Sequence, residues 1–149
     1  MNFSGRSEQL SGWMVDVRRD LHRTPELSFK EERTGGLIAG FLPEWGYRVR
    51  RIGGTGVHGF LEGTSGAPVI AIRADIDALP IQENTGLEFA STCPGIMHAC
   101  GHDIHTACAL GAARMLAEAK REGSFAGGVV MLFQPAEEIN KGAEALLRD

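Results

Sequence analysis

Apolar residues recur at every third or fourth position in three segments of the chain, a spacing typical of amphipathic helices. The first segment extends from Ser7 to about Arg23, and Thr24-Pro25 ends it because a residue before proline avoids the helical region. The second opens with Ser28-Phe29-Lys30-Glu31, a pattern in which serine and glutamate can cap a helix N-terminus. Gly35-Gly36 inside it indicate close packing, since each glycine costs about 1 kcal/mol relative to alanine. The third extends from about Ile104 to Lys120.

Four shorter segments have the patterns of β-strands. Tyr47 to Ile52 alternates like a half-buried strand, and Val57 to Glu62 follows it after a glycine-rich turn. Val69 to Ile72 and Val129 to Phe133 are apolar throughout, as expected of central strands that are covered on both faces. A further helix is predicted to begin at Gly142. Because helices and strands alternate along the chain, the sequence predicts an α/β layered domain.

The charge and composition exclude several classes of partner. The chain has 149 residues and a formal net charge of -4 at pH 7, so no basic surface for nucleic acid or anionic membrane is expected. Its N-terminal stretch lacks the apolar core of a secretion signal, and no run approaches the ~20 apolar residues of a membrane span. We therefore expect a cytoplasmic protein.

Metal-binding and proton-transferring side chains are concentrated between His98 and His105. This segment holds three of the five histidines, one of the three cysteines and a carboxylate. An odd number of cysteines argues against a disulfide framework. Cys108 is predicted to be a buried small apolar residue within the third helix, and Cys93 has no evident partner. Cys100 is the cysteine that lies among other potential metal ligands.

Two acidic pairs occupy equivalent places after the two apolar strands. Asp75 and Asp77 follow one strand, and Glu137 and Glu138 follow the other. If the strands are parallel, their carboxyl ends lie on the same rim, where α/β sheets bind ligands. Together with the thiol and imidazoles, these groups suit a divalent ion such as Zn²⁺, with Mn²⁺, Co²⁺ or Ni²⁺ as further choices. One glutamate can then bind the ion while its neighbour transfers the proton of an attacking water.

Other interpretations of the same residues explain less. A nucleophilic Cys100 with His102 as its base accounts for neither acidic pair. The spacing of Cys93 and Cys100 does not match a structural zinc site with paired C-x2-C motifs. The glycine-rich turn Gly53–Gly56 lacks the lysine of a phosphate-binding loop and does not lead into a helix.

With these residues identified, the sequence resembles the metal-dependent amidohydrolases that include hippurate hydrolase, aminoacylase-like N-acyl-amino-acid amidohydrolases and auxin-conjugate hydrolases, which are related to metallopeptidases. Four stretches in family order make up the resemblance: Arg18-Arg19-Asp20-Leu21-His22 with Pro25-Glu26-Leu27, Arg73 to Pro80, Met97 to His105, and Phe133 to Glu138.

The resemblance implies a role for each matching position. Cys100, His102 and Glu138 match metal ligands, and Glu137 matches the general base. The resemblance further implies a mixed, largely parallel sheet with helices on both faces, as in zinc exopeptidases, and a site with two divalent ions when complete.

Four further side chains are expected to orient the ligands without touching the ion: Asp75, Asp77, Asp103 and His105. The implied reaction is hydrolysis of the amide bond of a small-molecule N-acyl or N-aroyl (hippurate-like) amino acid.

Members of this family are longer than 149 residues. We therefore expect residues 1–149 to be the N-terminal part of a catalytic domain, without the lid and dimerisation domain and without the C-terminal ligands. We expect the full-length protein to form a homo-oligomer. The alternative to an enzyme is a truncated domain that binds metal without catalysis.

Overall fold

The computed structural model describes residues 2–64, 68–123 and 126–149, which form four helices and a four-stranded sheet. No helix within these ranges combines the length and the apolar character needed to cross a bilayer. The elements in chain order are α1 (Phe3–Arg23), α2 (Glu32–Glu44), β1 (Arg48–Ile52), β2 (Gly56–Leu61), β3 (Ile70–Asp75), α3 (His102–Arg121), β4 (Val129–Gln134) and α4 (Gly142–Leu147).

Helix α1 begins earlier than the apolar pattern predicts. The side chain of Asn2 accepts a hydrogen bond from the Gly5 N–H at 3.2 Å, which satisfies one of the unpaired donors of a helix N-terminus. The helix therefore starts at Phe3 rather than at Ser7.

Helix α2 begins later than predicted, at Glu32, and the expected capping pair at Ser28 and Glu31 does not cap it. The carboxyl group of Glu26 takes that role, accepting the N–H groups of Arg33 at 3.0 Å and Thr34 at 2.8 Å. Both members of the expected pair are thus available for other contacts.

The sheet has the strand order β1-β2-β4-β3 and is mixed, as predicted. β1 with β2 and β2 with β4 are antiparallel, and β3 with β4 is parallel. The short turn that joins β1 to β2 permits only antiparallel pairing of these two strands. The segment predicted as a central strand, β3, lies at the edge of this described sheet, and Ile70 is 56% exposed.

The three long helices lie on one face of the sheet. Leu42 of α2 contacts Gly59 of β2, and the Tyr47 hydroxyl donates to the Ala113 carbonyl of α3 at 2.9 Å. On the opposite face of the sheet, Phe60 and Leu132 are half-buried. The largest core side chains fill the space under the helices: Phe133, Leu21, Ile38, Leu42, Leu61, Ile76, Leu110 and Met131.

Close approach of α2 to the β1–β2 turn depends on one glycine. A β-carbon at Gly35 would lie 2.4 Å from the carbonyl oxygen of Thr55, whereas Gly36 has open space around it. The expected close packing is therefore confirmed for Gly35 alone. This contact brings the start of α2 to the rim of the sheet where β4 ends.

Candidate metal centre

The parallel pairing of β3 and β4 places the two acidic pairs on the same rim. Asp75, the last residue of β3, is in register with Gln134, the last residue of β4. Asp77 follows β3 closely, and Glu137 and Glu138 follow β4 after a turn. The His98–His105 segment reaches this rim as the start of α3. The predicted convergence of the three segments is therefore present.

Cys100, His102 and Glu138 bring three potential ligand atoms together, all within 4.8 Å of one another. Gly101 separates the first two with a left-handed backbone (φ 92°) that a residue with a side chain rarely adopts. The turn at Gly101 lets the Cys100 thiol and the imidazole of His102, the first residue of α3, face the same space. Cys100 is exposed, His102 is buried and Glu138 is half-buried, so the group lies at the surface end of the core.

The imidazole of His102 is oriented by Asp77. Its Nδ1 donates to the Asp77 carbonyl oxygen at 2.9 Å and lies 3.4 Å from Oδ1 of the same residue. Nε2 then remains for an external ligand, 3.8 Å from Oε2 of Glu137. The hydrogen bond with Asp77, opposed by burial, raises the pKa of His102 to about 9 in the metal-free protein.

Asp77 holds the two glutamates as well. Its Oδ1 accepts the Glu137 N–H and its Oδ2 accepts the Glu138 N–H, both at 3.1 Å, and Oδ2 also accepts the Ser28 hydroxyl at 2.7 Å. The residue is 1% exposed. Burial by itself would raise the pKa of this carboxyl group, but the bonds from His102, Ser28 and the two N–H groups lower it. Asp77 is therefore ionised, and its contacts connect the backbone of both glutamates to the imidazole of His102.

Glu31, which the sequence predicts as part of a helix cap, instead supports the turn that carries Glu137 and Glu138. Ala136 has a left-handed backbone (φ 51°), which costs a non-glycine residue about 1–2 kcal/mol. Its N–H donates to Oε1 of the fully buried Glu31 at 2.9 Å, and the Thr55 hydroxyl donates to Oε2. No sequence signal pointed to this contact, because the pattern from Ser28 to Glu31 is typical of a helix cap.

The three donors fit a divalent metal ion. Thiolate, imidazole and carboxylate are the ligand types that Zn²⁺ prefers, and three protein ligands are usual in catalytic zinc sites. Oε1 of Glu138 is buried and has no hydrogen-bond partner among the described residues, although buried carboxylate oxygens are normally paired. An ion held by Cys100, His102 and Glu138 would satisfy it.

The remaining predicted site residues contact other groups. The Asp75 N–H donates to Nδ1 of His105 at 3.2 Å, and the Asp75 carboxylate binds Arg73. Asp103 accepts from Arg18 Nε at 2.7 Å and lies 2.7 Å from Nδ1 of His22. Neither carboxylate contacts the three candidate ligands directly.

A buried polar cluster that the sequence interpretation missed adjoins the site. His22 is 3% exposed and bridges Asp103 to Glu83, whose Oε1 lies 3.3 Å from its Nε2. His98 lies beside it, with ring centroids 6.5 Å apart, and neither of its ring nitrogens has a partner within the described part of the chain. Burial lowers the pKa of His98 to about 4, so this ring is neutral at pH 7.

The chain is similar in sequence to a defined protein family and to individual known proteins. The sequence pattern that defines peptidase family M20/M25/M40 matches residues 71–149. The chain is 49% identical, over its whole length, to N-acetyl-L-cysteine deacetylase of Bacillus subtilis (strain 168), covering 35% of that protein. It is 45% identical to the IAA-amino acid hydrolase ILR1-like 5 of Arabidopsis thaliana, covering 95% of this chain and 32% of that protein.

Solved structures show the same fold. The YXEP protein of Bacillus subtilis, described as a dinuclear metal binding peptidase, superimposes with a TM-score of 0.87 and 46% identity over 95% of this chain and 39% of that one. A putative aminohydrolase from methicillin-resistant Staphylococcus aureus gives a TM-score of 0.90 and 45% identity over 95% and 36%. The chain therefore spans 32% to 39% of the length of these four proteins.

Proposed function

The chain belongs to peptidase family M20/M25/M40, and on that basis we propose that it supplies the metal-binding part of an enzyme that hydrolyses the amide bond of small-molecule N-acyl amino acids. The observation that carries this proposal is the convergence of Cys100, His102 and Glu138, whose ligand atoms lie within 4.8 Å of one another. Glu137 lies next to these residues, and its Oε2 is 3.8 Å from Nε2 of His102.

The names of two relatives support the substrate class. One is an N-acetyl-L-cysteine deacetylase and the other an IAA-amino acid hydrolase. The acyl groups in these names differ, while an amino acid is common to both. Hydrolysis of an N-acyl or N-aroyl amino acid, of which hippurate is a simple example, is the reaction that we propose for the protein that contains this chain.

The proposed mechanism assigns a separate task to each residue. A divalent ion, with Zn²⁺, Mn²⁺, Co²⁺ or Ni²⁺ as candidates and two ions in a complete site, supplies Lewis-acid activation of water and of the amide carbonyl. Cys100, His102 and Glu138 hold the ion. Glu137 takes the proton of the attacking water on a carboxylate oxygen and passes it to the leaving amine. The Glu137 side chain is 36% exposed, which leaves it accessible to a substrate.

The competing interpretation, a nucleophilic cysteine, has less support. Although Cys100 is exposed as a residue, desolvation of its thiol and the adjacent Glu138 raise its pKa. Nucleophilic cysteines need the opposite shift, because the thiolate is the reactive form. The same negative surroundings favour a bound cation.

Replacement of Glu137 tests the proposal. In the metal-loaded protein, Glu137→Gln should lower kcat for N-acetyl-L-cysteine and hippurate by about 10²–10⁴-fold, the usual contribution of a general base. Metal content should stay unchanged, since Glu137 is not proposed as a ligand. Glu144→Gln, which alters an exposed glutamate of α4, is the matched control. Undiminished turnover in Glu137→Gln would refute the assignment.

The alternative, a metal-binding domain without catalysis, is distinguished by the same measurements on the wild-type protein. Stoichiometric metal binding with no turnover of either substrate would favour it. Turnover that disappears with a chelator and returns with added Zn²⁺ or Mn²⁺ would favour the enzyme.

A further inference from the structure

We propose that Glu31 is a positioning residue for the candidate metal centre, acting through the backbone of Ala136. Its carboxyl group is fully buried, and its Oε1 accepts the Ala136 N–H at 2.9 Å. The two residues that follow Ala136 are the proposed base Glu137 and the proposed ligand Glu138. Glu31 itself touches neither the candidate ligands nor Glu137 through any described hydrogen bond.

Three consecutive backbone N–H groups in this turn all donate to buried carboxyl groups, and Glu31 accepts the first of them. The N–H of Ala136 donates to Glu31, and those of Glu137 and Glu138 donate to the two oxygens of Asp77. The backbone of this turn is therefore fixed at three successive peptide groups. A fixed backbone holds the Cα atoms of Glu137 and Glu138 in place, and both metal binding and proton transfer require accurately placed side chains.

The left-handed conformation of Ala136 needs this support. A non-glycine residue at φ 51° is strained and persists only where its surroundings determine it. On one side the Ala136 carbonyl accepts the N–H groups of Lys141 and Gly142, at 3.2 and 3.0 Å. On the other side its N–H is held by Glu31. Without Glu31 the turn loses its only described hydrogen bond to the start of α2.

A structural role in capping α2 does not explain Glu31. Its side chain makes no capping hydrogen bond, and Glu26 accepts the free N–H groups of the helix instead. The second oxygen of Glu31 accepts the Thr55 hydroxyl in the β1–β2 turn. Gly35 allows that turn to approach, since a β-carbon there would lie 2.4 Å from the Thr55 carbonyl oxygen. The local backbone is thus arranged to present Glu31 to Ala136.

The test compares three substitutions in the intact protein. Glu31→Met keeps the buried volume but accepts no hydrogen bond, Glu31→Gln keeps an oxygen for the Ala136 N–H, and Glu26→Ala removes a cap of the same helix as a control. Two readouts are used: kcat and KM with N-acetyl-L-cysteine, and Co²⁺ binding followed by the thiolate-to-cobalt absorption of Cys100. Thermal unfolding measures the purely structural effect of each change.

Glu31→Met is expected to weaken Co²⁺ binding about 10- to 100-fold, as the loss of a partner behind a ligand usually does, and to lower kcat more than it raises KM. Glu31→Gln should restore most of both. Glu26→Ala should lower the unfolding temperature while leaving the cobalt spectrum and kcat unchanged. Equal cobalt affinity, spectrum and kcat in Glu31→Met and Glu26→Ala would overturn the proposal.

The kcat readout rests on the proposed function, whereas the cobalt readout does not. If the wild-type protein hydrolyses nothing, the proposed function fails and the cobalt comparison still tests Glu31. If the wild type is active and Glu31→Met matches it in both readouts, Glu31 alone is wrongly assigned. Should Glu31→Met not fold, Thr55→Val removes the hydroxyl that holds the carboxyl group. It should then produce a smaller change in the same two readouts, and no change would count against the proposal.

Discussion

Metal binding at Cys100, His102 and Glu138 should become weaker as the pH falls, because two of these groups hold protons that the ion must displace. Hydrogen bonding to Asp77 raises the pKa of His102 to about 9. Desolvation and the adjacent Glu138 raise the pKa of the Cys100 thiol above its ordinary value of 9.0. Both groups are therefore protonated at pH 7 in the metal-free protein, whereas a metal ligand must be deprotonated.

The size of the effect follows from the number of protons. Each displaced proton reduces the apparent binding constant about tenfold per pH unit below its pKa, which corresponds to about 1.4 kcal/mol. Between pH 8 and pH 6 both pKa values lie above the working pH, so the two groups together predict a change of about 100-fold per pH unit. The affinity rises with pH and levels off only once both His102 and the Cys100 thiol are deprotonated.

Calorimetry in buffers of different ionisation enthalpy counts the released protons directly, and competition with a chelator at several pH values gives the slope. Cys100→Ser is the informative variant, because a serine hydroxyl does not supply the thiol proton. Binding of one ion to this variant should release about one proton fewer than binding to the wild type. Protons released by the groups that the two proteins share cancel in this comparison. Equal proton release in the two proteins would show that the thiol is not a ligand.

Two further changes test the surroundings of the site. Asp77→Asn should lower the pKa of His102 in the metal-free protein from about 9 towards its ordinary 6.5, because the hydrogen bond with Asp77 is the largest cause of the shift. An NMR titration that still finds a pKa near 9 would contradict this. Gly35→Ala should destabilise the fold by about 1–3 kcal/mol in urea unfolding, because the new β-carbon meets the Thr55 carbonyl oxygen. The adjacent Gly36→Ala should stabilise it by about 1 kcal/mol, since that position is open; equal effects would argue against the close contact.

The sequence predicts the helices, the strands and the convergence of the site because these depend on local patterns. Apolar periodicity identifies α1 and α3 to within a few residues. The acidic pairs follow apolar strands whose parallel pairing brings Asp77 and Glu137 to one rim. The resemblance adds the family, which the comparisons confirm.

What the sequence does not predict depends on contacts between distant segments. The Ser28–Glu31 pattern is typical of a helix cap, but Ser28 donates to Asp77 and Glu31 binds the turn after β4. Cys108 is exposed, contrary to the prediction, because small residues such as Ala109 and Ala113 form the buried side of α3. Local spacing cannot reveal which of two compatible partners a side chain meets in the folded chain.

The register of β3 against β4 has a consequence for how uniquely this chain folds. The next register that keeps the same side chains facing the helices is two residues away, a displacement of about 6.6 Å along the strand. Asp77, two residues after β3, accepts the N–H groups of Glu137 and Glu138 after β4, both at 3.1 Å, and a shift of that size would break both hydrogen bonds. The hydrogen bonds of Asp77 therefore favour the native register over its neighbours, so the same carboxyl group that orients the site also helps to define how the two strands pair.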